Sequence, residues 1–384
     1  MDGSAHRDQS RPVHGESMRG QGDGKIPVII ITGFLGSGKT TVLNHVVKQA
    51  SMKSTAVIIN EFGEIGIDHL LVETSTEQMI EINNGCICCT VRGDLVDKLG
   101  SLAMWLDLGR VPPVDRVIVE TTGLADPAPI MHTMMTDATL LDRFRLESIV
   151  TVVDAIAGGS SLERFAEAVK QVAIADRLIL SKRDLVETHS DWESYAELRR
   201  RIGEINPRVA IHEASNGEID LEILRCRSGS DAETAFADFS QWLDAAKQDC
   251  RGTGHRHCHD HGHGAITSFV VRFAGIADSE RFNRFLQELA IEFGENILRV
   301  KGIVNVADRP DQPAVIHGVQ HVFFPVSWLD AWPDDDHSSK LVFITQGLEP
   351  QTIENRFAEH FAGTVKRAPG VPGGKQGMQR TRRP

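Results

Sequence analysis

The sequence has no run of about eighteen apolar residues, and its first 24 residues contain no apolar core. The first absence excludes a transmembrane helix, and the second excludes a secretory signal peptide. We therefore expect a cytoplasmic protein in a reducing compartment, with no membrane partner. Cysteine is scarce, at 6 of 384 residues. In such a compartment clustered cysteines indicate a metal or redox site rather than a disulfide.

Basic residues are fewer than acidic ones, 41 against 53, and the formal net charge is −12. This balance argues against a general nucleic-acid-binding protein. The exception is the tail at 364–384, which is basic and has no acidic residue. Its Pro and Gly content indicates disorder, and we interpret it as a solubilising segment, with a contact to RNA or a partner as the alternative.

Composition is otherwise that of a globular protein, with 41% hydrophobic and 24% charged residues. The chain divides into five predicted segments. These are a disordered N-terminal extension at 1–24, an α/β domain at 25–226, a linker at 227–264, a small α+β domain at 265–363 and a disordered tail at 364–384.

Apolar runs rich in β-branched residues alternate with helical stretches in the α/β domain. Such runs suit strands that are buried on both faces of a parallel sheet, so we predict a mostly parallel, doubly wound sheet. Its predicted strands are 27–32, 55–60, 116–120, 148–154, 177–181 and 208–215, with helices at 40–50 and 161–175 among the connections. The α+β domain has predicted strands at 266–273, 297–306, 314–328 and 340–347, with helices at 278–294 and 350–362.

The stretch GFLGSGKTT at 33–41 directly follows the first predicted strand and fills the pattern G-x-x-x-x-G-K-[ST]. Its glycines let backbone N–H groups turn towards a phosphate, and the following helix offers its positive N-terminus to the same anion. Lys39 can reach the β- and γ-phosphates and is a candidate catalytic residue, and Thr40 can bind Mg²⁺. The predicted nucleotide-binding residues here are Gly33, Gly36, Ser37, Gly38, Lys39, Thr40 and Thr41.

The stretch VIVETTGLADPAP at 117–129 ends a core strand with an acid. Glu120 is placed like the acid that holds Mg²⁺ in P-loop enzymes, directly or through water, and is the second candidate catalytic residue. Gly123 can give a backbone N–H to a γ-phosphate, which would make 121–127 a nucleotide-sensing switch. The alternative is an ordinary solvated acid at a strand end.

Choice of the base should depend on Ser181, Lys182 and Asp184, which follow the fifth predicted strand. The tetrapeptide resembles the N-K-x-D element of GTP-binding proteins, in which the Asp carboxylate accepts two hydrogen bonds from guanine. Adenine has no such pair of donors, so an Asp here favours GTP over ATP. Ser181 replaces the usual Asn of that element.

Half of the cysteines, Cys86, Cys88 and Cys89, occupy one short turn. Three thiolates can hold Zn²⁺ tetrahedrally and leave one position for an oxygen or nitrogen ligand. The acids Glu61, Glu64 and Asp68 follow the second predicted strand and are candidates for that position. A structural zinc site, a redox thiol pair and buried inert cysteines are the alternatives, although a structural zinc site usually has two spaced cysteine pairs.

The stretches TGFLGSGKTT, NEFGEIGID, GCICCTVRGDL, ETTGLADPAP and SKRDL follow one another along the chain. Together they resemble the signature set of the CobW-like family of metallochaperone GTPases, from about residue 27 to 363. The resemblance implies a P-loop GTPase domain, a His-rich linker and a small C-terminal domain. It also implies GTP-dependent delivery of a metal, most often zinc, to a client metalloprotein. In that reading Cys86, Cys88 and Cys89 form the metal site, with Glu64 as an additional ligand.

Subgroups of the family serve cobalamin synthesis or the activation of nitrile hydratase, and no feature of this chain separates them. Two rival classes also stay open. One is a P-loop kinase for a small molecule that carries a structural zinc, and the other is a metal-storage protein.

The tract HRHCHDHGHG in the linker places an imidazole at every second position. Neutral imidazoles bind Zn²⁺, Co²⁺ and Ni²⁺, and flanking glycines favour a flexible metal-binding tether. We predict that this tether captures metal and passes it to the thiolate site, and the alternative is a polar linker with no such role. Its candidate ligands are His255, His257, His259, His261 and His263.

Overall fold

The computed structural model of the protein describes residues 24–49, 52, 54–60, 91–207, 209–224, 266–273, 275–324, 326–333 and 335–361. The predicted N-terminal extension (except residue 24), the linker and the basic tail lie outside these ranges. No helix within them is long and apolar enough to cross a membrane.

The N-terminal part of the chain forms a parallel sheet of six strands in the order β2-β3-β1-β4-β5-β6. The strands are β1 (Ile26–Thr32), β2 (Thr55–Asn60), β3 (Arg116–Thr121), β4 (Phe144–Asp154), β5 (Arg177–Ser181) and β6 (Ala210–Glu213). The predicted α/β class with a parallel sheet is thereby confirmed.

Helices cover both faces of this sheet. They are α1 (Lys39–Val47), α2 (Val91–Asp107), α3 (Ala128–Thr136), α4 (Ala138–Arg143), α5 (Gly158–Arg164), α6 (Ala166–Ile174), α7 (Arg183–His189) and α8 (Trp192–Ile205). Successive strand residues point to opposite faces, so Ile29 and Ile31 pack with α1 while Val28 and Ile30 pack with α2 and α3. Burial on both faces explains why β1 is a continuous apolar run rather than an alternating one.

The predicted helix at 161–175 is two helices, α5 and α6. Phe165 between them has the extended conformation φ −129°, ψ 116°. Its ring stacks on that of Phe34, with 4.5 Å between the ring centroids. A contact between residues so distant along the chain leaves no local sign, so periodicity alone could not show the break.

The C-terminal part forms an antiparallel sheet in the order β10-β9-β8-β12-β7, with β11 paired to β9. Its strands are β7 (Ile266–Phe273), β8 (Ile297–Val304), β9 (Ala314–Val319), β10 (Val322–Phe323), β11 (Ser327–Trp328) and β12 (Ser339–Gln346). Two helices, α9 (Ser279–Phe293) and α10 (Pro350–His360), pack on one face over a core rich in phenylalanine. The predicted α+β domain is confirmed.

The second sheet contacts the first domain through α6 and α8. Leu298 and Ile344 join the buried cluster that contains Val172 and Leu178. Beside this apolar contact lies a cluster of charges. Asp176, just after α6, pairs with Arg299 and with Lys301, whose Nζ is 2.8 Å from Asp176 Oδ1.

Candidate functional site

The glycines of the phosphate loop have backbone conformations that side chains would oppose. Gly33 has φ +144°, and a Cβ at that position would lie 2.1 Å from the carbonyl oxygen of Val152. Gly38 has φ +90° and comes immediately before α1, so it turns the chain from the loop into the helix. The sequence β1, loop, α1 thus presents a helix N-terminus to the interior of the loop.

The side chain of Lys39 folds back across this loop. Its Nζ donates hydrogen bonds to the carbonyl oxygens of Gly33, at 2.9 Å, and of Phe34, at 3.3 Å. Ser37 donates its backbone N–H to the same Phe34 oxygen, and Gly36 lies in the turn between them. The hydroxyl of Ser37 is buried and makes no hydrogen bond within the described part of the chain. A buried cation and a buried hydroxyl in one loop suit a phosphate group, which accepts hydrogen bonds from both.

Thr40 and Glu120 meet although they are far apart in the sequence. The hydroxyl of Thr40 donates a hydrogen bond of 2.8 Å to Oε1 of Glu120, whose side chain is buried at the end of β3. A hydroxyl oxygen and a carboxylate oxygen this close together are the hard ligands that Mg²⁺ prefers. The parallel pairing of β1 with β3 brings them together, because it aligns the carboxyl ends of both strands.

The loop at 122–127, between β3 and α3, lies against the phosphate loop. A Cβ at Gly123 would be 2.7 Å from the backbone nitrogen of Leu35. Any residue other than glycine would therefore push the two loops apart. The predicted switch glycine is thus in contact with the phosphate loop.

Ser181, at the end of β5, ties the predicted base-recognition element to the phosphate loop. Its hydroxyl donates a hydrogen bond of 2.5 Å to the carbonyl oxygen of Ser37, and it also lies 3.3 Å from the carbonyl oxygen of Val153. The serine that replaces the usual asparagine is therefore a bridge between two loops. This role depends on the tertiary structure and had no signal in the sequence.

The next residues, Lys182 and Asp184, are each held by a partner that no sequence motif indicates. Lys182 has the left-handed φ of 56° and its Nζ lies 2.6 Å from Oδ2 of Asp154, at the end of β4. Asp184 lies in the first turn of α7, and its Oδ1 accepts the backbone N–H of Asn216 at 3.2 Å.

Residues 214–217 form a further loop at this edge of the sheet, after β6. The carbonyl oxygen of Ala214 accepts the backbone N–H of Arg183 at 3.1 Å. A Cβ at Gly217 would be 2.8 Å from the carbonyl oxygen of Thr41, so this loop also contacts α1. The Asn216–Gly217 pair directly after the last predicted strand is a turn signal that could have identified this loop.

Arg183 joins this loop to α8. Its guanidinium pairs with Glu213, with 3.0 Å between Nε and Oε2, and lies 4.3 Å from the ring centroid of Trp192. The Tyr195 hydroxyl donates to Glu213 and, with Arg183 and Arg199, holds the pKa of the Glu213 carboxyl below its usual range. Glu213 is therefore an anion that fixes Arg183 beside Asp184.

The predicted zinc ligands lie outside the described residues: Cys86, Cys88, Cys89, Glu64, His255, His257, His259, His261 and His263. Within the described ranges, no group of three or more His, Cys, Asp and Glu side chains could hold a metal ion. The structure does place the points where the cysteine-bearing segment joins the fold. Strand β2 ends at Asn60, which pairs with Thr121 directly after Glu120, and α2 begins at Val91.

Comparison with known proteins finds two family models in the chain. The model described as "CobW/HypB/UreG, nucleotide-binding domain" matches residues 27–213, and "Cobalamin synthesis protein cobW C-terminal domain" matches 266–360. The first range holds the parallel sheet and the site, and the second holds the antiparallel sheet.

Three relatives match over most of their own length. The zinc chaperone YjiA of Escherichia coli is 32% identical over 335 residues, covering 87% of this chain and 98% of that protein. The zinc chaperone CobW of Pseudomonas aeruginosa is 32% identical over 371 residues, covering 86% and 90%. The zinc-regulated GTPase metalloprotein activator 1 of Schizosaccharomyces pombe is 30% identical over 323 residues, covering 78% and 76%.

A solved structure agrees with the fold. The crystal structure of the Zn(II)-bound YjiA GTPase from E. coli matches this chain with a TM-score of 0.62 and 30% identity. The match covers 87% of this chain and 98% of that one. The likeness therefore spans both sheets.

Proposed function

This chain belongs to the CobW family of nucleotide-binding proteins, and we propose that it is a GTP-dependent metal chaperone. It binds Zn²⁺ at Cys86, Cys88 and Cys89 and transfers it to a client metalloprotein, with GTP hydrolysis resetting the cycle. The names of the three relatives support this proposal, since two are zinc chaperones and one is a zinc-regulated GTPase.

The main support for nucleotide binding is the hydrogen bond between Thr40, which directly follows the lysine of the phosphate loop, and Glu120. A nucleotide triphosphate places its β- and γ-phosphates in that loop, where Lys39 exchanges its two carbonyl contacts for phosphate oxygens. Thr40 and Glu120 would hold Mg²⁺, which neutralises charge on the phosphates during transfer to water. Lys39 stabilises the same developing charge.

Guanine selectivity is assigned to Asp184. The carboxylate lies at the start of α7 and is oriented by the Asn216 N–H. Ser181, at the end of β5, links this segment to Ser37 of the phosphate loop. An anion in this position accepts hydrogen bonds from the guanine N1 and N2 donors, which adenine lacks. The ion pair between Glu213 and Arg183 holds the residue that directly precedes Asp184.

The place where the segment with Cys86, Cys88 and Cys89 joins the sheet supports a coupling between nucleotide binding and zinc binding. Asn60, the last residue of β2, pairs with Thr121, the residue next to Glu120. The segment between Asn60 and Val91 therefore begins beside the Mg²⁺ position. A change at the γ-phosphate can reach the thiolate site through this strand end, and the weak imidazole ligands of the linker can reload it.

The test is a competition titration of zinc against a chelator, at saturating GDP and at a saturating non-hydrolysable GTP analogue. We expect the two zinc affinities to differ by about 1–3 kcal/mol, the usual size of a coupling free energy between two sites. Cys88→Ala should weaken zinc binding strongly in both states, because too few soft ligands remain. Cys250→Ala, at an isolated cysteine, is the matched control and should change neither affinity.

Equal zinc affinities in the two nucleotide states would contradict the chaperone mechanism and leave a GTPase that contains zinc. Mg-ATP is run beside Mg-GTP in the same titration. If ATP replaced GTP fully, the assignment of Asp184 would be wrong and a kinase would become the better proposal.

A further inference from the structure

Helix α6 is held at both of its ends. At the N-terminal end, the Phe165 ring stacks on Phe34 of the phosphate loop, with 4.5 Å between centroids. At the C-terminal end, the side-chain amide of Asn206 donates to three carbonyl oxygens, those of Val172 (3.0 Å), Ala173 (3.2 Å) and Ala175 (3.1 Å). Arg299 of the second sheet donates to the carbonyl oxygen of Ile174. A helix fixed in this way is a rigid support for whatever its middle touches.

The middle of α6 touches the 122–127 loop. The side-chain amide of Gln171 donates to the carbonyl oxygens of Gly123, at 3.2 Å, and Ala125, at 3.0 Å. Gln171 is 1% exposed, and its Oε1 makes no hydrogen bond within the described ranges. Both amide hydrogens are thus committed to the loop. On the surface of the same helix, Lys170 lies 3.5 Å from Asp126, the next residue of the loop.

These contacts fix the loop against the phosphate loop. The Ala125 N–H donates to the carbonyl oxygen of Thr122, which closes the turn that Gln171 holds. Gly123 in this turn is in contact with Leu35. The turn that contains the Gly123 N–H, which would meet a γ-phosphate, is therefore held by three hydrogen bonds, two of them from one side chain.

We propose that Gln171 is a positioning residue of the nucleotide site, which holds the 122–127 loop from the rigid helix α6 in the conformation that receives the γ-phosphate. The proposal rests on the nucleotide function proposed above. Groups that are fixed in place before the ligand arrives need no ordering when it binds, so the affinity for a triphosphate is higher. A diphosphate does not reach this loop and gains nothing from it.

The test compares nucleotide affinities of Gln171→Met, which removes the two donors at similar volume. Isothermal titration with GDP and with a non-hydrolysable GTP analogue gives the ratio of the two affinities. We expect the analogue to bind about tenfold more weakly relative to GDP than in the wild type, equal to a loss of about 1.4 kcal/mol. Turnover of GTP should fall in the same variant.

Asn305→Leu is the matched control, because it also removes a buried amide that donates to a carbonyl oxygen, that of His337, but in the second domain and away from α6. It should lower the melting temperature as well and leave the affinity ratio at the wild-type value. Lys170→Met breaks the contact between a partly exposed side chain and Asp126, so it is the second test variant should Gln171→Met not fold. We expect it to shift the ratio about twofold in the same direction.

An unchanged ratio in Gln171→Met, equal weakening of both nucleotides, or an equal shift in Asn305→Leu would each overturn the proposal. Should Gln171→Met not fold, an unchanged ratio in Lys170→Met would overturn it. Failure of the wild-type protein to bind either guanine nucleotide is a different result. It would refute the proposed function itself.

Discussion

Replacing Asp176 by asparagine should lower the free energy of unfolding by about 2–4 kcal/mol. Although burial alone would raise the pKa of this carboxyl, Arg299 and Lys301 outweigh it and hold the pKa well below its usual range. The Asp176 side chain is 20% exposed, Arg299 8% and Lys301 28%. Removing one partner of a buried ion pair costs about 3–5 kcal/mol, and partial exposure reduces that figure. Asparagine can still accept the backbone N–H of Ile149, so the variant removes the charge and the oxygen that accepts from Arg299 and Lys301 but keeps the backbone contact.

The measurement is urea unfolding followed by circular dichroism at about pH 7. A carboxyl whose folded pKa is depressed contributes stability above its unfolded pKa of about 3.9, and this contribution is lost as the pH falls. The difference between wild type and variant should therefore be constant near neutrality. It should shrink below about pH 4, by about 1 kcal/mol at pH 3.

Two controls accompany this variant. Glu280→Gln breaks the exposed pair with Arg284 on α9, where the side chains are 85% and 59% exposed, and should cost less than about 0.5 kcal/mol. Replacing Asp176, Arg299 and Lys301 together by apolar residues of similar volume should recover at least half of the loss, because no unpaired charge remains. A cost for Asp176→Asn no larger than that of Glu280→Gln would refute the reasoning.

Three further predictions concern the proposed function. Lys39→Ala should weaken GTP binding about 100-fold or more by isothermal titration, because the ammonium that would bind phosphate oxygens is lost. The circular dichroism spectrum should stay unchanged, because the ammonium contacts carbonyl oxygens of a loop. Asp184→Ala should bring the affinities for GTP and ATP within about threefold of each other, and a preserved preference for GTP would assign base choice to another residue. Deleting 255–263 should lower the number of bound metal ions in a metal analysis while one tight site and GTP hydrolysis persist, and loss of the tight site would make the tract a primary ligand.

The local pattern of apolar residues was enough to predict most strands and helices. The predicted strands at 55–60 and 177–181 have the same bounds as β2 and β5, because buried parallel strands need continuous β-branched runs. The break at Phe165 was missed, since the ring that stabilises it, Phe34, lies in another loop. Short-range periodicity carries no information about such a contact.

The candidate site also has residues that the sequence indicates and contacts that only the folded structure shows. The phosphate loop, Glu120 and Asp184 could be predicted as candidates from sequence, because each lies in a short contiguous motif that directly follows a predicted strand. The contacts that these residues make with other parts of the chain could not be predicted. Asp154 holds Lys182, Ser181 bridges to Ser37, and residues 214–217 orient Asp184.

The sequence by itself therefore determined the family and the class of both domains, and it indicated the candidate phosphate-binding residues, since these depend on contiguous stretches. The tertiary structure alone decided that Gln171 supports the 122–127 loop and that Asp176 joins the two domains through Arg299 and Lys301. Each of these contacts joins residues more than forty positions apart. Such pairs form when strands and helices pack, and hydrogen bonds between polar side chains and distant backbone groups leave no periodic trace in the chain.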